Sequence, residues 1–441
     1  MVTPETLSNS LKRVREVLKE PIEYTSTTLV PVVRTLLKRR KEFLSAAEEY
    51  GTTCYLFDTK ELAQSLNAFD AAFARTLPDL SVFYAVKVND YPDLLRRIVE
   101  HGYGLDVSSE RELRLALAAK ASRIVFTGPA KSIPALTLAL RHAEKVTINM
   151  DSFHELELLG KLATDHKRTV RAGVRVNGTH TATWNKFGIP LTELRCFFDL
   201  AKTYPFLSLE GIHVHQSWNK DATPYANTME EVGTYLRANF TEAERAIFTF
   251  FDFGGGFAPH RLEGEYAWLQ PQGEVVKTVY EYFGEEAPFT RTHVTYETVP
   301  LPTYAKGIGA AITKHMRKVI PNASYYTEPG RILVNSAMHV LLRVADIKSN
   351  GIVILDGGTN IVGWERFEVE YFPVINLTHP SLKEKNMKLY GSICMMQDVW
   401  GYGCYASKME IGDIILVPYQ GALTYSLMQE FIHGRASVYS L

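Results

Sequence analysis

Between residues 81 and 328, short β-branched apolar runs alternate with longer amphipathic stretches, the pattern of repeated strand-then-helix units around a parallel sheet. Eight runs qualify as strands. They begin near Val82 (SVFYAVKV), Gly104 (GLDV), Arg123 (RIVFTG), Lys145 (KVTINM), Thr169 (TVRAGVRVN), Ser208 (LSLEGIHVH), Ile247 (IFTFFDFGGG) and Ser324 (SYYTEP), and each but the last leads into helical sequence. Eight such units predict an α/β chain with a closed (β/α)8 barrel, whose chemistry sits where strands end and loops begin.

The stretch from Ala258 to Pro302 breaks this rhythm with Pro271, Pro288, Pro300 and Pro302, so an insertion is expected near the seventh unit. After Arg331 the texture changes to short β-like runs separated by turns: ILVNSAMHVLLRVADIKS, GIVILDGG, YFPVINL, KLYGSICMM and GDIILVPY. These predict a second, mostly antiparallel β domain. Residues 46–59 precede the barrel and can pair with this second domain, giving a discontinuous β domain of 46–59 plus 331–441, a barrel of 60–330, and a helical extension over 1–45 that packs on the surface.

A chain of 441 residues, 46% apolar and 11% aromatic, can fill two cores. Its net charge of −1, from 48 basic and 49 acidic residues, gives no global field for nucleic acid or an anionic membrane, which leaves small molecules as the expected partner. The amino-terminal segment mixes charges without a signal-peptide core, and no run is apolar enough to span a bilayer, so a cytoplasmic protein is expected. Cys54, Cys196, Cys394 and Cys404 are too few and scattered for a disulfide framework, and no CxxC pair suggests a metal site.

Lys87 falls in the apolar run SVFYAVKVN, where an unpaired ammonium is costly. Either a buried ion pair neutralises it, or the amine is used covalently, in which case a depressed pKa favours attack on an aldehyde. Gly254, Gly255 and Gly256 follow a strand and would let backbone N–H groups crowd an anionic phosphate, although a tight turn also explains them. Glu328, in Glu328-Pro329-Gly330-Arg331, could hold a pyridinium nitrogen protonated, or form a structural ion pair with Arg331. The imidazole of His215 could cover a flat aromatic cofactor, with His213 the nearby decoy. Arg175, Lys186, Asp106 and Glu112 also fall at or after barrel strands, where solvation or ion pairing would account for each alone.

In order and approximate spacing, FYAVKVN, GLDVSSERE, HVHQ, DFGGGF, EPGR and GSIC resemble the ornithine/diaminopimelate/arginine decarboxylase family from about residue 50 onward. That resemblance implies an alanine-racemase-like barrel plus β domain, pyridoxal 5′-phosphate as cofactor, an amino-acid-like substrate, and a homodimer with shared active sites. It makes Lys87 the Schiff-base lysine, His215 the residue stacked on the ring, and Gly254, Gly255, Gly256, Gly330 and Arg331 the phosphate site. Glu328 becomes the partner of the ring nitrogen, Arg175 the arginine near substrate and cofactor, and Asp106 and Glu112 the supports of lysine and ring. Cys394 matches the cysteine that the partner subunit contributes to reprotonate the substrate carbanion, and Asp398 matches an aspartate near the substrate.

Three positions depart from the family. Met395 stands where an acid reads the distal end of ornithine or diaminopimelate, so a free distal ammonium loses its countercharge. The family's HxGS is His215-Gln216-Ser217-Trp218, so Ser217 must substitute for the phosphate-binding serine. Its GAY is Gly421-Ala422-Leu423, and Tyr425 can replace the lost tyrosine only if this stretch is extended, because side chains on a strand repeat every second residue. The tail GALTYSLMQEFIHG resembles divergent decarboxylases of siderophore-like biosynthesis, which act on conjugated amino acids; Gln216, Trp218 and Met395 would then shape a pocket for a modified side chain. The expected activity is decarboxylation. An amino-acid racemase, a noncatalytic regulatory homologue and a barrel enzyme without cofactor are the alternatives.

Overall fold

The computed structural model describes residues 4–17, 29–178, 186–259, 264–266, 271–285, 293–295, 298–363 and 370–441. Parts of the amino-terminal extension and of the 258–302 insertion, including Pro288, lie outside the described residues.

Eight parallel strands close into a barrel: Ser81–Ala85, Gly104–Val107, Ile124–Phe126, Val146–Met150, Val170–Asn177, Leu207–His213, Phe250–Asp252 and Ser324–Thr327. Each begins within three residues of the position that the apolar pattern marks. The helices between them bury one apolar stripe, as in Leu94, Leu95 and Ile98 of Pro92–Glu100. Side chains of Ser109, Ser132 and Ser152 cap the helices that follow the second, third and fourth strands. The helix before the first strand, Thr59–Phe73, is capped by Asp58 and buries Leu62, Leu66, Phe69 and Phe73. Inside the barrel, Phe83, Val125, Phe250 and Tyr326 form a separate aromatic plug, over which Arg171 lies 4.7 Å from the Phe250 ring. Arg171 and Phe250 stand near the starts of their strands, so the plug fills one end and leaves the carboxyl end for the site.

The second sheet has eight strands, five of its pairings antiparallel and three parallel. Strand Cys54–Phe57 joins it, antiparallel to Met338–Ile347 and parallel to Ser437–Ser440. Several local expectations change. ILVNSA is helical, as Arg331–Val334 and the 3-10 turn Asn335–Ala337, and the strand starts only at Met338. Pro380–Tyr390 ends before GSICMM, which is a loop, while Val399–Ala406 and Ser437–Ser440 are strands that the turn-rich, glycine-containing sequence hid.

Nor is the amino-terminal extension merely laid on the surface. Val33 and Phe43, both 0% exposed, lie on helices Val30–Lys38 and Arg40–Tyr50 and share a core with Leu56, Leu341, Ile375 and Leu416 of the sheet. In the insertion, Gly264–Tyr266 and His293–Thr295 form a three-stranded antiparallel sheet with Glu370–Tyr371. Among the described residues no helix is long and apolar enough to cross a membrane.

Candidate active site

Lys87 is not in the strand. Ser81–Ala85 ends two residues earlier, and Lys87 stands on a 3-10 turn, Val86–Val88, whose two valines are buried while its own side chain keeps 44% of its surface because it borders a cavity. The β domain clamps this turn. Leu423 N–H donates to the Val88 carbonyl at 2.8 Å, Asn89 Nδ2 to the Gly421 carbonyl at 2.8 Å, and Ser426 Oγ to the Lys87 carbonyl at 2.9 Å.

Lys87 Nζ lies 3.5 Å from Asp106 Oδ2, and the Thr127 hydroxyl donates to the other oxygen of this buried carboxyl. Burial opposes charge on the amine, but Asp106 and Glu328 outweigh it and raise its pKa, contrary to the depressed value expected from the sequence. Asp106 itself is pushed up to about 7, by burial first and by the charge of Glu328 second, against the pull of Lys87. Glu112 accepts from Ser108 N–H at 2.7 Å, fixing the loop that forms one wall.

Glu328, 2% exposed, directly follows the last barrel strand and lies between two histidines, with His213 Nε2 3.2 Å and His215 Nδ1 3.5 Å from its Oε2. Burial alone would raise this carboxyl. The two imidazoles outweigh it and hold Glu328 well below the usual carboxylate range. Burial lowers His213 and takes His215 down to about 4. His215 lies two residues beyond the end of its strand, on the same side as His213, as a period of two dictates. Asp252 is raised, by burial and then by Glu328, and one oxygen of each carboxyl, Oδ2 of Asp252 and Oε1 of Glu328, is buried with no hydrogen-bond partner.

The three glycines are required by crowding. A Cβ on Gly255 would stand 2.1 Å from the Glu328 carbonyl oxygen, and one on Gly256 1.8 Å from that of Gln216; Gly254 and Gly256 also have φ of +72° and +83°. Gly254 N–H donates to Asp252 Oδ1 at 2.9 Å and Gly255 N–H to His215 Nδ1 at 3.3 Å, so this loop ties Asp252 to His215.

These groups surround one cavity of about 490 Å³. Of the residues expected from the sequence, Lys87, Arg175, His215, Ser217, Gly256, Glu328, Gly330 and Arg331 line it, Asp106 and Glu112 support the wall, and Gly254 and Gly255 lie behind Gly256. Ser217 Oγ is 3.3 Å from His215 Nε2.

Five do not join them. Gln216 donates its amide to the Thr228 hydroxyl at 2.7 Å and does not line this cavity. Tyr425 opens a 3-10 turn, Tyr425–Leu427, and turns its ring toward Tyr55 and Tyr91, so the extended geometry that would have aimed it at the cavity is absent and Leu423 borders the space instead. Cys394 is exposed on the loop after Pro380–Tyr390, and neither it nor Met395 lines the cavity of its own chain. Asp398 is 1% exposed and accepts from Thr359 N–H at 2.7 Å and Ile393 N–H at 2.9 Å, an occupation that shapes this loop and leaves it away from the cavity.

Sequence reasoning passed over His213, which bonds Glu328, and Asp252 and Thr127, which face Glu328 and Asp106. The alternation of His213 with His215 was a usable signal; nothing in the sequence marks Thr127. The site fits pyridoxal phosphate on its own geometry. An ionised Glu328 with a spare buried oxygen suits a ring nitrogen, a loop that no Cβ can enter suits a phosphate, and a primary amine projects into the same space.

Residues 60–335 match the family model of the pyridoxal-dependent decarboxylases, pyridoxal binding domain. The chain is 27% identical over 394 residues to diaminopimelate decarboxylase of Bacteroides thetaiotaomicron, covering 84% of this chain and 90% of that one. The crystal structure of diaminopimelate decarboxylase from Helicobacter pylori complexed with L-lysine superposes with a TM-score of 0.73 at 24% identity, over 90% of this chain and 94% of the other. Lysine/ornithine decarboxylase from Vibrio vulnificus complexed with putrescine gives 0.71 at 19% identity, over 92% and 98%.

Proposed function

The chain belongs to the pyridoxal-dependent decarboxylases, and from that premise we propose that Lys87 holds pyridoxal 5′-phosphate while the cavity removes a carboxylate from an amino acid or a conjugated amino-acid-like substrate. The observation that carries this reading is the convergence of Lys87, Glu328 and the Gly254–Gly256 loop on a single cavity at the carboxyl ends of the barrel strands.

When bound, the cofactor supplies an aldehyde that takes up amines and a ring that accepts the electron pair left by carbon dioxide. Around it, Asp106 holds the amine of Lys87 in place at 3.5 Å. Glu328, held below the usual carboxylate range by His213 and His215, would hold the ring nitrogen, and His215 would lie against the ring. Gly256, Ser217 and Arg331, the last with its guanidinium 4.1 Å over the Trp218 ring, would hold the phosphate. Cys394 of the partner subunit returns a proton from Sγ to the substrate carbon. The assembly is a cytoplasmic homodimer with shared sites, a reading supported by the family, by the exposure of Cys394 and by four free cysteines. The division into 60–330 and 46–59 with 331–441 is supported by the pairing of Cys54–Phe57 with Met338–Ile347.

Mass spectrometry of products from a panel of amino acids and their conjugates, with pyridoxal phosphate supplied, tests the activity. One substrate is expected to lose carbon dioxide. Inversion at the α-carbon with mass unchanged, or no turnover by cofactor-loaded protein, would contradict the reading.

A further inference from the structure

The clamp on Lys87 begins away from the cavity. Tyr419, with φ of +58°, turns the chain into the segment Gly421–Leu423, whose Gly421 carbonyl accepts from Asn89 and whose Leu423 N–H donates to Val88. That segment has little room to adjust, since a Cβ on Gly421 would stand 1.7 Å from the Val334 carbonyl oxygen. Its entry is held by a side chain: Tyr419 N–H donates to His339 Nδ1 at 3.3 Å. His339, near the start of strand Met338–Ile347, is fully buried. Because its Nδ1 accepts, its proton stands on Nε2, which lies 3.8 Å from Asp58 Oδ2 and makes no hydrogen bond there.

Asp58 is the point where this arrangement meets the amino-terminal extension. Its carboxyl is fully buried; Oδ1 accepts from the N–H groups of Lys60 and Glu61, and Oδ2 takes the guanidinium of Arg39. Arg39 sits at the junction of helices Val30–Lys38 and Arg40–Tyr50 and also donates Nε to Glu42 at 2.8 Å. Two groups can therefore serve Oδ2, and Arg39 is the one that does. A buried carboxylate deprived of its cation is costly, so without Arg39 the Nε2–H of His339 would be drawn to Asp58 and Nδ1 would leave Tyr419. We propose that Arg39 is a positioning residue for Lys87: by holding Asp58 it leaves His339 to Tyr419, and so sets the segment that fastens the turn carrying the amine. This role rests on the reading of Lys87 as the cofactor lysine.

The test compares R39M with R40M in the full chain. Arg40 belongs to the same extension but donates Nη2 to the Thr378 carbonyl at 3.1 Å, outside the Asp58 and His339 contacts. In cofactor-free protein, amide hydrogen exchange on the peptide carrying residues 419–423 is expected to run roughly tenfold faster in R39M, the size of one hydrogen bond to a charged group, and to stay unchanged in R40M whatever each does to Tm. The pyridoxal phosphate concentration that half-saturates the cofactor absorbance should rise by a similar factor in R39M and not in R40M. H339L, which removes the acceptor directly, should match R39M, and the double variant should be no worse than either single one, as expected of two breaks in one path. Exchange or cofactor affinity that does not change in R39M, that changes equally in R40M, or that worsens additively in the double variant would overturn the inference. Faster exchange in R39M, with the cofactor of the unaltered protein fixed by borohydride to a lysine other than Lys87, would instead sink the reading of Lys87 and leave the hold of Arg39 on the segment standing.

Discussion

The amine of Lys87 borders the cavity 3.5 Å from the buried carboxyl of Asp106, which Thr127 holds in turn. The arrangement has a pH signature. With a folded-state pKa of about 7 against an ordinary value near 4, native Asp106 keeps a proton that the unfolded chain has released. Between those limits the native state binds more protons, so this group's contribution to stability falls as pH rises. In cofactor-free protein, D106N should therefore shrink the loss of Tm between about pH 5 and pH 7.5; a variant with the same or a steeper loss would contradict the assignment.

At this scale no residue was readable alone. Lys87 in an apolar run, the triple glycine and Glu328 beside Arg331 each had a structural explanation, and only in their joint order along the chain did they stand out. His213 did not, because a buried histidine is usually a satisfied polar group, and its bond to Glu328 depends on a strand far away in sequence.

The parallel strands were legible because residues buried on both faces leave continuous apolar runs, as in Ile124–Phe126, where all three residues are apolar and buried. Their ends were less so. The run SVFYAVKV continues past the last ladder pair, Ala85 with Asp106, and the chain there winds into a 3-10 turn that the GAL segment of the β domain fastens. A contact between residues 88 and 423 has no local signal. Tyr425 shows the same limit, since the two-residue period that would have aimed it inward holds only on a strand, and Leu423 already departs from one with φ of +55°. Trp218, also on the cavity wall, has φ of +60°. Two such residues cost on the order of 1–3 kcal/mol each, a strain placed where the wall is shaped. The helices of the extension read as charged and external because Val33, Leu36 and Phe43 are spread among lysines and arginines, yet that spacing is the stripe that meets the sheet.

Across the whole molecule, neither domain makes the cavity alone: the barrel supplies its floor, and Leu423 of the β domain part of its rim. The exposed Cys394, outside the lining of its own chain's cavity, gives the proposed shared-site dimer a direct consequence. K87A and C394A should each be inactive, and a mixture allowed to exchange subunits should regain activity, because some dimers then hold one intact site. No recovery from a mixture shown to form mixed dimers would contradict a shared site.

Beneath all of this stands the proposed covalent role of Lys87. Reduction of the cofactor-loaded protein with borohydride, followed by digestion and mass spectrometry, reads that role without requiring a substrate. A single pyridoxyl-phosphate adduct is expected on the peptide that carries Lys87, lost in K87A. An adduct on Lys131 or Lys186 instead, or bound cofactor that reduction fails to fix to any lysine, would contradict it.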